Sequence, residues 1–459
     1  MYADFAGAYA GGPFLGLTHV IATLTADPYP WVQFRIGRAN RVADPSADQH
    51  LAGKTLDAIN LDDWDELWLF GLGGGQGALS KVEIDAVRAW MDRGGGVLVT
   101  GDHDDLGAGI GRQIPRAGQM RRWGQPSASG PDRHSTLRSG ANTSFDFDDQ
   151  SDDVPQEIRL REYPLISWWH PVRRRPHPLF CGPDGPIRVL PDHMHEGEAV
   201  VPAQMPANDW PSVGPVQPTP EVVAWGRIVQ PGLDGTGTEF GVVGAYDGHG
   251  AGVGRISADS TWHHWFDINV VGLGTAGRQG FTTSAGAGFL RAIEAYFLNT
   301  AIWLAPPAKQ MCMRNRAVSG ALWSDRLVML DPKLPVWAIG EAALDALGRT
   351  APRCTIRDWI WPFLPIEIRE LTPLDPVEFA RFVPLIEESA AGAAFRPLVE
   401  QTRDNLTPPR TEREVREMDE RVDAAFASAW DEGLGSAIEL ARGQMKRTQA
   451  LRKTLQKAR

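Results

Sequence analysis

The sequence predicts an α/β fold with a doubly wound, mostly parallel sheet, and two apolar runs joined by a helix support this prediction. The first run covers residues 65–70 and stops at a glycine-rich turn, and the second covers residues 96–100. Between them, apolar residues recur at helical spacing. Short apolar runs that alternate with a helix are typical of buried parallel strands joined by a right-handed crossover. Ligands of such sheets bind beyond the carboxyl ends of the strands.

The connecting helix has definite start and stop signals. Ser80 is a good N-cap, and Glu83 three residues later completes the pattern of a capping box. Arg93 and Gly94 supply a basic last turn and a glycine stop. This strand–helix–strand unit is therefore the element that the local sequence determines best.

Further apolar runs predict four strands and one long helix. The predicted strands are residues 187–190, 222–229, 240–246 and 253–258, and the predicted helix is residues 285–304. Residues 105–186 are rich in Gly, Pro, Arg, Asp and Ser and show little periodicity. Because that length is too great for a plain connection, we expect either an insertion that covers the site or a segment that is partly mobile.

The length of 459 residues predicts two domains. Two prolines at 306 and 307 close the first, so residues 1–305 are expected to form the α/β domain with its insertion at 105–186. Residues 306–459 are expected to be mainly helical. The last segment, residues 411–459, alternates acidic and basic residues at helical spacing and ends in basic residues. This pattern favours a surface helix that contacts a second copy or a protein partner.

Composition excludes several classes of partner. The net charge of −11 argues against a nucleic acid or an anionic membrane as the main partner. Three cysteines cannot form a disulfide framework. No apolar run reaches the length of a membrane span, and the first residues lack the pattern of a signal peptide. We therefore expect a cytoplasmic protein with no membrane partner.

The histidines are confined to one portion of the chain. All eleven lie before residue 265, and five of them stand beside carboxylates in three clusters, at residues 101–105, 191–198 and 259–267. Each cluster follows a predicted strand. Imidazole is a neutral metal ligand and the side chain that moves protons near neutral pH. The chemistry of this protein is therefore expected in its first domain.

The first cluster combines three carboxylates with one imidazole. Asp102 and Asp104 are candidate catalytic residues, and His103 and Asp105 are candidate metal ligands. A divalent metal favours this mixture of oxygen and nitrogen donors, and so does a general base that needs a carboxylate beside it. The alternative is a polar loop in which one aspartate caps the next helix.

The second and third clusters offer further ligands and bases. His193 and His195 are two residues apart, so on an extended backbone they point the same way and can grip one metal with Glu196 nearby. In the third cluster, Asp259 stands at a strand end and His263 lies between tryptophans, and both are candidate catalytic residues. Hydrogen-bonded histidines in a polar turn or at the rim of the core are the alternative.

Basic residues follow the first cluster. Arg116, Arg121 and Arg122 are candidates for binding an anionic substrate. The alternative is that they pair with the acidic run at residues 146–153.

Residues 65–101 resemble the class I glutamine amidotransferase-like superfamily, which includes trehalose-utilisation-type proteins. The resembling features are an apolar strand, the turn at residues 71–75, a Leu-Ser-x-x-Glu-Ile helix start, and Arg93-Gly-Gly-Gly before the next strand. The Gly-Arg-Ile-Ser-Ala-Asp run at residues 254–259 resembles the late strand of those domains. The resemblance covers roughly residues 15–305 and implies a flavodoxin-like α/β fold.

The chain departs from the glutaminases of that superfamily at the nucleophile. Those enzymes carry a reactive cysteine on a tight elbow after a strand. Here the corresponding turn at residues 101–105 has no cysteine, so hydrolysis of glutamine by a thiol is not expected.

Two functions from different classes fit the sequence. The first is a hydrolase that acts on a small-molecule substrate with a divalent metal such as Zn, Mn or Mg and gathers the three clusters at the carboxyl edge of the sheet. The second is a non-catalytic amidotransferase-like module that binds a ligand or a partner protein, with the C-terminal helices as its interaction arm.

Overall fold

A computed structural model describes most of the chain. The described residues are 1–11, 15–75, 77–102, 105–124, 156–191 except 166–172, 197–214, 217–227, 239–272, 280–284, 286–360, 376–403 and 407–457. The chain divides into two compact units. Unit 1 consists of Met1–Pro28, Phe34–Arg161 and Pro176–Pro307, and unit 2 consists of Tyr29–Gln33, Glu162–Arg175 and Ala308–Arg459.

The strands, in chain order, are β1 Tyr2–Ala3, β2 Ala39–Asn40, β3 Glu66–Phe70, β4 Gly96–Val99, β5 Arg121–Arg122, β6 Gln156–Glu157, β7 Arg159–Leu160, β8 Glu162–Leu165, β9 Arg173–Pro176, β10 Cys181–Gly182, β11 Gly185–Pro186, β12 Val189–Leu190, β13 Glu198–Ala199, β14 Glu221–Arg227, β15 Glu239–Tyr246 and β16 Ile256–Asp259. The helices are α1 Thr18–Thr25, α2 Lys81–Met91, α3 Ala108–Gly111, α4 Asp267–Val270, α5 Ala287–Leu304, α6 Pro307–Leu322, α7 Asp325–Val328, α8 Val336–Leu347, α9 Arg353–Ile360, α10 Pro376–Arg403 and α11 Glu412–Lys457.

The central sheet of unit 1 contains eight strands within the described residues, in the order β2-β1-β3-β4-β16-β15-β14-β7. The first five strands run parallel to one another. The last three continue the sheet in antiparallel fashion. The prediction of a mixed α/β protein with a large, mostly parallel sheet and C-terminal helices is confirmed.

The predicted strand–helix–strand unit is present as β3, α2 and β4. Ser80 Oγ accepts a hydrogen bond from the backbone N–H of Glu83 at 3.3 Å, and the Glu83 carboxylate accepts one from the backbone N–H of Ser80 at 2.8 Å. The capping box therefore begins α2 where the sequence predicts it. Gly94 follows the helix with a φ of +104°, a conformation that L side chains rarely adopt.

Helices cover both faces of the sheet because successive side chains of a strand point to opposite faces. Leu67 of β3 joins a buried cluster that includes Val87 of α2. Trp68, the next residue, meets Trp265 edge to face with ring centroids 5.3 Å apart. Trp265 in turn contacts Tyr296 of α5 at 5.1 Å. β3 has large apolar residues on both faces. One face therefore packs against α2, and the other packs toward α5 through Trp265.

Short strand pairs appear where the sequence shows no periodicity. Two strands of the insertion at residues 105–186, β5 and β6, pair with β13 and β12, which follow the insertion in the chain. The predicted strand at 187–190 is limited to Val189–Leu190. Two-residue strands depend on a distant partner for their hydrogen bonds and leave no periodic pattern in the sequence.

Unit 2 is mainly helical, and its longest helices pack against each other. α10 and α11 run antiparallel, since Phe395 contacts Phe426 at 6.3 Å and Gly433 lies against Ala390. The predicted helix at residues 411–459 is Glu412–Lys457. No helix in the described part of the chain is long and apolar enough to cross a membrane.

Glycines allow α8 and α10 to approach closely. A Cβ on Gly340 of α8 would stand 1.7 Å from the backbone oxygen of Glu388, and a Cβ on Gly392 of α10 would stand 1.7 Å from that of Val336. No side chain fits at either position, so the backbones of the two helices are in direct contact there.

Glu83 does more than cap α2. Its carboxylate, only 1% exposed, also accepts from Arg41 Nη1 at 2.5 Å and from the backbone N–H of Leu56 at 3.2 Å. Burial by itself raises the pKa of Glu83, but the hydrogen bonds from Arg41, Ser80 and Leu56 outweigh it, so that the pKa lies below its usual value.

We predict that Glu83→Gln lowers the free energy of unfolding by about 2–3 kcal/mol at pH 7, because it leaves Arg41 without its buried partner. A carboxyl whose pKa is lowered by folding stabilises the fold above its unfolded pKa and loses that effect as pH falls through the folded pKa. Urea unfolding between pH 6 and pH 3 should therefore show a smaller loss of stability in the variant than in the wild type. Asp85→Asn is the control, since Asp85 pairs with Lys81 on the exposed side of the same helix. Equal effects of the two substitutions would contradict the role given to Glu83.

Candidate functional site

The candidate site lies where two neighbouring parallel strands end. β4 and β16 are paired in parallel, with Val99 opposite Ala258. The two strands therefore end at the same edge of the sheet. Asp102 follows β4 by three residues, and Asp259 is the last residue of β16. Their side chains are buried, with 1% and 0% exposed. The first and third histidine clusters of the sequence therefore start from one edge of the sheet.

The Asp259 carboxylate accepts four hydrogen bonds. Oδ1 accepts from His264 Nδ1 at 2.7 Å and from the backbone N–H of Thr261 at 3.3 Å. Oδ2 accepts from Trp265 Nε1 at 3.0 Å and from the Tyr296 hydroxyl at 2.9 Å. An ionised carboxyl group has about four acceptor positions, so these donors fill it.

These contacts make Asp259 a positioning residue. Burial and the charge of Asp259 raise the pKa of Tyr296 well above its usual value, so the phenol keeps its proton and donates. The carboxylate fixes the ring of His264 and attaches α5 to the end of β16. The sequence suggested Asp259 as a catalytic base, but the four donors leave it no acceptor position for a substrate proton.

His263 lies between an amide and a carboxylate. Its Nδ1 is 2.7 Å from Asn269 Oδ1, on α4, and its Nε2 is 3.6 Å from Asp102 Oδ2. The indole of Trp262 lies beside the imidazole with ring centroids 4.3 Å apart. The side chain of His263 is buried, so these neighbours determine its orientation. The structure thus brings together two of the predicted catalytic residues, Asp102 and His263.

Arg121 joins the segments that follow β4 and β16 by hydrogen bonds to their backbone oxygens. Its Nη2 donates to the backbone oxygen of Asp102 at 2.8 Å and to that of Ser260 at 2.6 Å. Glycines make room for the guanidinium, since a Cβ on Gly101 would stand 2.8 Å from Cζ and one on Gly197 would stand 2.4 Å from Nη2. The sequence suggested Arg121 as a substrate ligand, whereas the structure shows a buried clamp.

Several predicted ligands lie outside the described residues. They are His103, Asp104, His193, His195 and Glu196. Gly197, which follows the second cluster in sequence, lies against Arg121. The described chain on the C-terminal side of that cluster therefore reaches the edge that carries Asp102 and His263.

Asp105 supports the glycine-rich turn after β3. Its Oδ2 accepts from the backbone N–H of Gly75 at 2.5 Å. Asp4 accepts from the backbone N–H groups of Leu72 and Gly73 at 2.7 and 3.0 Å. The carboxylates of Asp4 and Asp105 thus accept hydrogen bonds from three backbone N–H groups of this turn. They hold the turn beside β1 and beside the segment that follows β4.

The other two predicted substrate residues occupy different places. Arg122 lies 3.3 Å from Glu198 across the β5–β13 pair and is partly exposed. Arg116 is buried and donates to Asp92, which follows the C-terminal end of α2. Because α2 ends where β4 is about to begin, Arg116 lies at the opposite edge of the sheet and is not brought to the site.

No group of three or more His, Cys, Asp or Glu side chains in the described ranges is arranged to hold a metal ion. The chain matches no known protein-family model, no curated protein and no solved structure.

Sequence reasoning missed three side chains of the site. His264 directly follows His263, and adjacent side chains usually face apart, yet each of the two histidines contacts a different aspartate. Asn269 and Tyr296 lie on helices and follow no motif. A single tyrosine in the apolar helix at residues 285–304 was the one signal available, because a buried phenol needs a hydrogen-bond partner.

We predict that Tyr296→Phe lowers the free energy of unfolding by about 2 kcal/mol, since it deletes one hydrogen bond to a buried carboxylate. The matched control is Tyr9→Phe. Tyr9 is also buried, but its hydroxyl donates at 2.6 Å to the uncharged backbone oxygen of Ala39, so a loss of about 1 kcal/mol is expected. Urea unfolding at pH 7 measures both. A loss for Tyr296→Phe no larger than for Tyr9→Phe would contradict the central role of Asp259.

Proposed function

We propose that this edge of the sheet is the active site of a hydrolase that uses a divalent metal, with Asp102 and His263 as two of its ligands. One observation carries the proposal. The imidazole of His263 is held at Nδ1 by Asn269, and its Nε2 faces an Asp102 oxygen at 3.6 Å. A histidine held at one nitrogen by a fixed acceptor is the usual arrangement of a metal ligand.

The separation of the two atoms fits a shared metal. Because the oxygen of Asn269 only accepts, Nδ1 of His263 carries a proton, and in a neutral ring Nε2 then presents its lone pair. The 3.6 Å to Asp102 Oδ2 exceeds the length of a hydrogen bond. A tetrahedral metal with nitrogen and oxygen ligands at about 2.1 Å would hold the two atoms about 3.4 Å apart. An imidazolium paired with the carboxylate is the competing explanation.

The remaining ligands are proposed from the second cluster and from the turn after β4. His193, His195, Glu196 and His103 are the candidates, because Gly197, which directly follows the second cluster in the sequence, lies against Arg121 at the same edge. Imidazole ligands favour zinc over magnesium, whereas carboxylate ligands also suit manganese. We further propose that the sheet is a doubly wound, amidotransferase-like one, in which a metal site replaces the nucleophilic cysteine.

The residues of the chain have distinct roles in this proposal. A bound divalent metal would polarise water or a substrate carbonyl and so favour hydrolysis. Asn269 keeps His263 in the tautomer that presents Nε2. Arg121 fixes the backbone of Asp102 and places a positive charge beside the site. Contact with an anionic substrate is assigned to Arg122, which is partly exposed on β5 and lies 3.3 Å from Glu198.

A second candidate function is a non-catalytic binding module, and burial favours it. Asp102, Asp259, His263 and His264 are each at most 4% exposed, whereas an active site must admit its substrate. In that case the polar cluster would stabilise the edge of the sheet, and the C-terminal helices would carry the interaction.

Metal analysis separates the two functions. We predict near-stoichiometric zinc or manganese in the dialysed wild-type protein, measured by inductively coupled plasma mass spectrometry. Asp102→Asn and His263→Gln should lose most of it, and Asn269→Ala should weaken binding about 10- to 100-fold, as is typical of residues that orient a ligand. Substoichiometric metal at every first-row element, with a melting temperature unchanged by chelator, would favour the module.

His249→Gln is the matched control for these variants. His249 lies in the turn between β15 and β16, at the other edge of the sheet, so its replacement should leave the metal content unchanged. Loss of metal in this variant would show that the assay reports general destabilisation.

We also propose that the end of α11 is the contact for a second copy or a protein partner. Extending the antiparallel register set by Gly433 and Ala390 places residues after about 447 beyond the first residue of α10. Deleting residues 448–459, which carry four basic side chains, should change the mass measured by light scattering but leave the metal content intact. An unchanged assembly state and unchanged partner binding would contradict this role.

A further inference from the structure

A second group of buried polar side chains lies at the opposite edge of the central sheet. Tyr246 is the last residue of β15 and pairs with Ile256, the first residue of β16, so it marks the edge where the parallel strands begin. The ring of Trp210 meets that of Tyr246 edge to face at 4.9 Å. Arg116 donates at 3.1 Å to the backbone oxygen of Asp209, the neighbour of Trp210.

The guanidinium of Arg116 has two donor nitrogens that make no hydrogen bond to the described residues. Its Nη1 donates to Asp92 at 2.7 Å as well as to Asp209. Its Nε and Nη2 are buried and have no hydrogen-bond partner in the described part of the protein. Together these two nitrogens form the fork with which arginine grips two oxygens of a carboxylate, sulfate or phosphate.

Two more donors stand in the same surroundings. Trp210 Nε1 and the Tyr246 hydroxyl are buried and likewise find no partner among the described residues. Burial raises the pKa of Tyr246 and the charge of Arg116 lowers it, and the net effect is a raised pKa. The phenol therefore stays protonated and can donate. Arg116, Trp210 and Tyr246 are each at most 1% exposed, so bulk water does not reach these groups.

The nearby carboxylates do not accept hydrogen bonds from Nε and Nη2 of Arg116. Asp209 accepts from Arg88 at 2.5 Å and from Gln119 at 2.6 Å, and Asp92 meets Arg116 at Nη1 only. Arg116 itself has a φ of +61°, which is rare for a residue other than glycine. Such a backbone persists only where the surroundings fix it, here through the two anchors of its side chain.

We propose that Arg116, Trp210 and Tyr246 form a buried site for a small oxyanion, bound by the guanidinium fork, the indole N–H and the phenol. An oxyanion offers acceptors only, which matches a group of donors. A water molecule brings hydrogens of its own that need acceptors, and this group offers few. Sulfate, phosphate and carboxylate share the chemistry that the fork recognises. The bound anion would join the turn at residues 206–210 to the ends of β15 and α2.

Crystals of the 459-residue chain soaked in selenate test the site directly. An anomalous selenium peak within hydrogen-bond distance of Arg116 Nε and Nη2 is expected. Ordered water at that position, with no anomalous peak, would overturn the proposal. This test does not depend on the metal site at the other edge, so the two proposals stand or fall separately.

Thermal unfolding supplies the second test. The protein is refolded from urea without oxyanions and then titrated with sulfate at constant ionic strength against chloride. Tyr246→Phe and Arg116→Lys should raise the apparent Kd for sulfate at least tenfold. Arg88→Lys, which changes the Asp209 contact outside the donor group, should keep it within about twofold. An equal response in all four proteins would show only the general stabilising effect of sulfate and would count against the site.

Discussion

The buried carboxylate of Asp259 is the constraint on which the site of unit 1 depends. An ionised group inside an apolar core is costly unless donors surround it. Here the donors come from the turn after β16 and from α5, and the carboxylate therefore fixes both. Removing it would leave Tyr296 and Trp265 with unmatched donors among the aromatic rings that join α5 to the sheet.

The Asp259 carboxylate also orients the histidine side chains at this edge of the sheet. Because His264 is bound to Asp259, the backbone that carries His263 is fixed, and the neighbouring ring meets Asp102 and Asn269. Arg121 completes the arrangement by joining the two strand ends through their backbone oxygens. The glycines at 101 and 197 belong to this construction, since side chains there would displace the guanidinium.

The two edges of the sheet differ in chemistry. The carboxyl edge gathers carboxylates and imidazoles, which suit a cation. The opposite edge gathers an arginine fork, an indole and a phenol, which suit an anion. Both groups are buried, and both unite residues from segments far apart in the chain, so each group forms only when the sheet is folded.

The local sequence determined the strand–helix–strand unit at residues 65–100, because capping and apolar spacing act over a few residues. It also showed that Asp102 and His263 follow strands. Only the tertiary structure decided that β4 and β16 are neighbours, which depends on pairing between residues about 160 positions apart. The hydrogen bond from Tyr296 to Asp259, the clamp formed by Arg121 and the donor group around Arg116 arise from contacts between separate parts of the chain. No periodicity or motif in the sequence records them, because each side chain acquires its role from the groups that folding brings beside it.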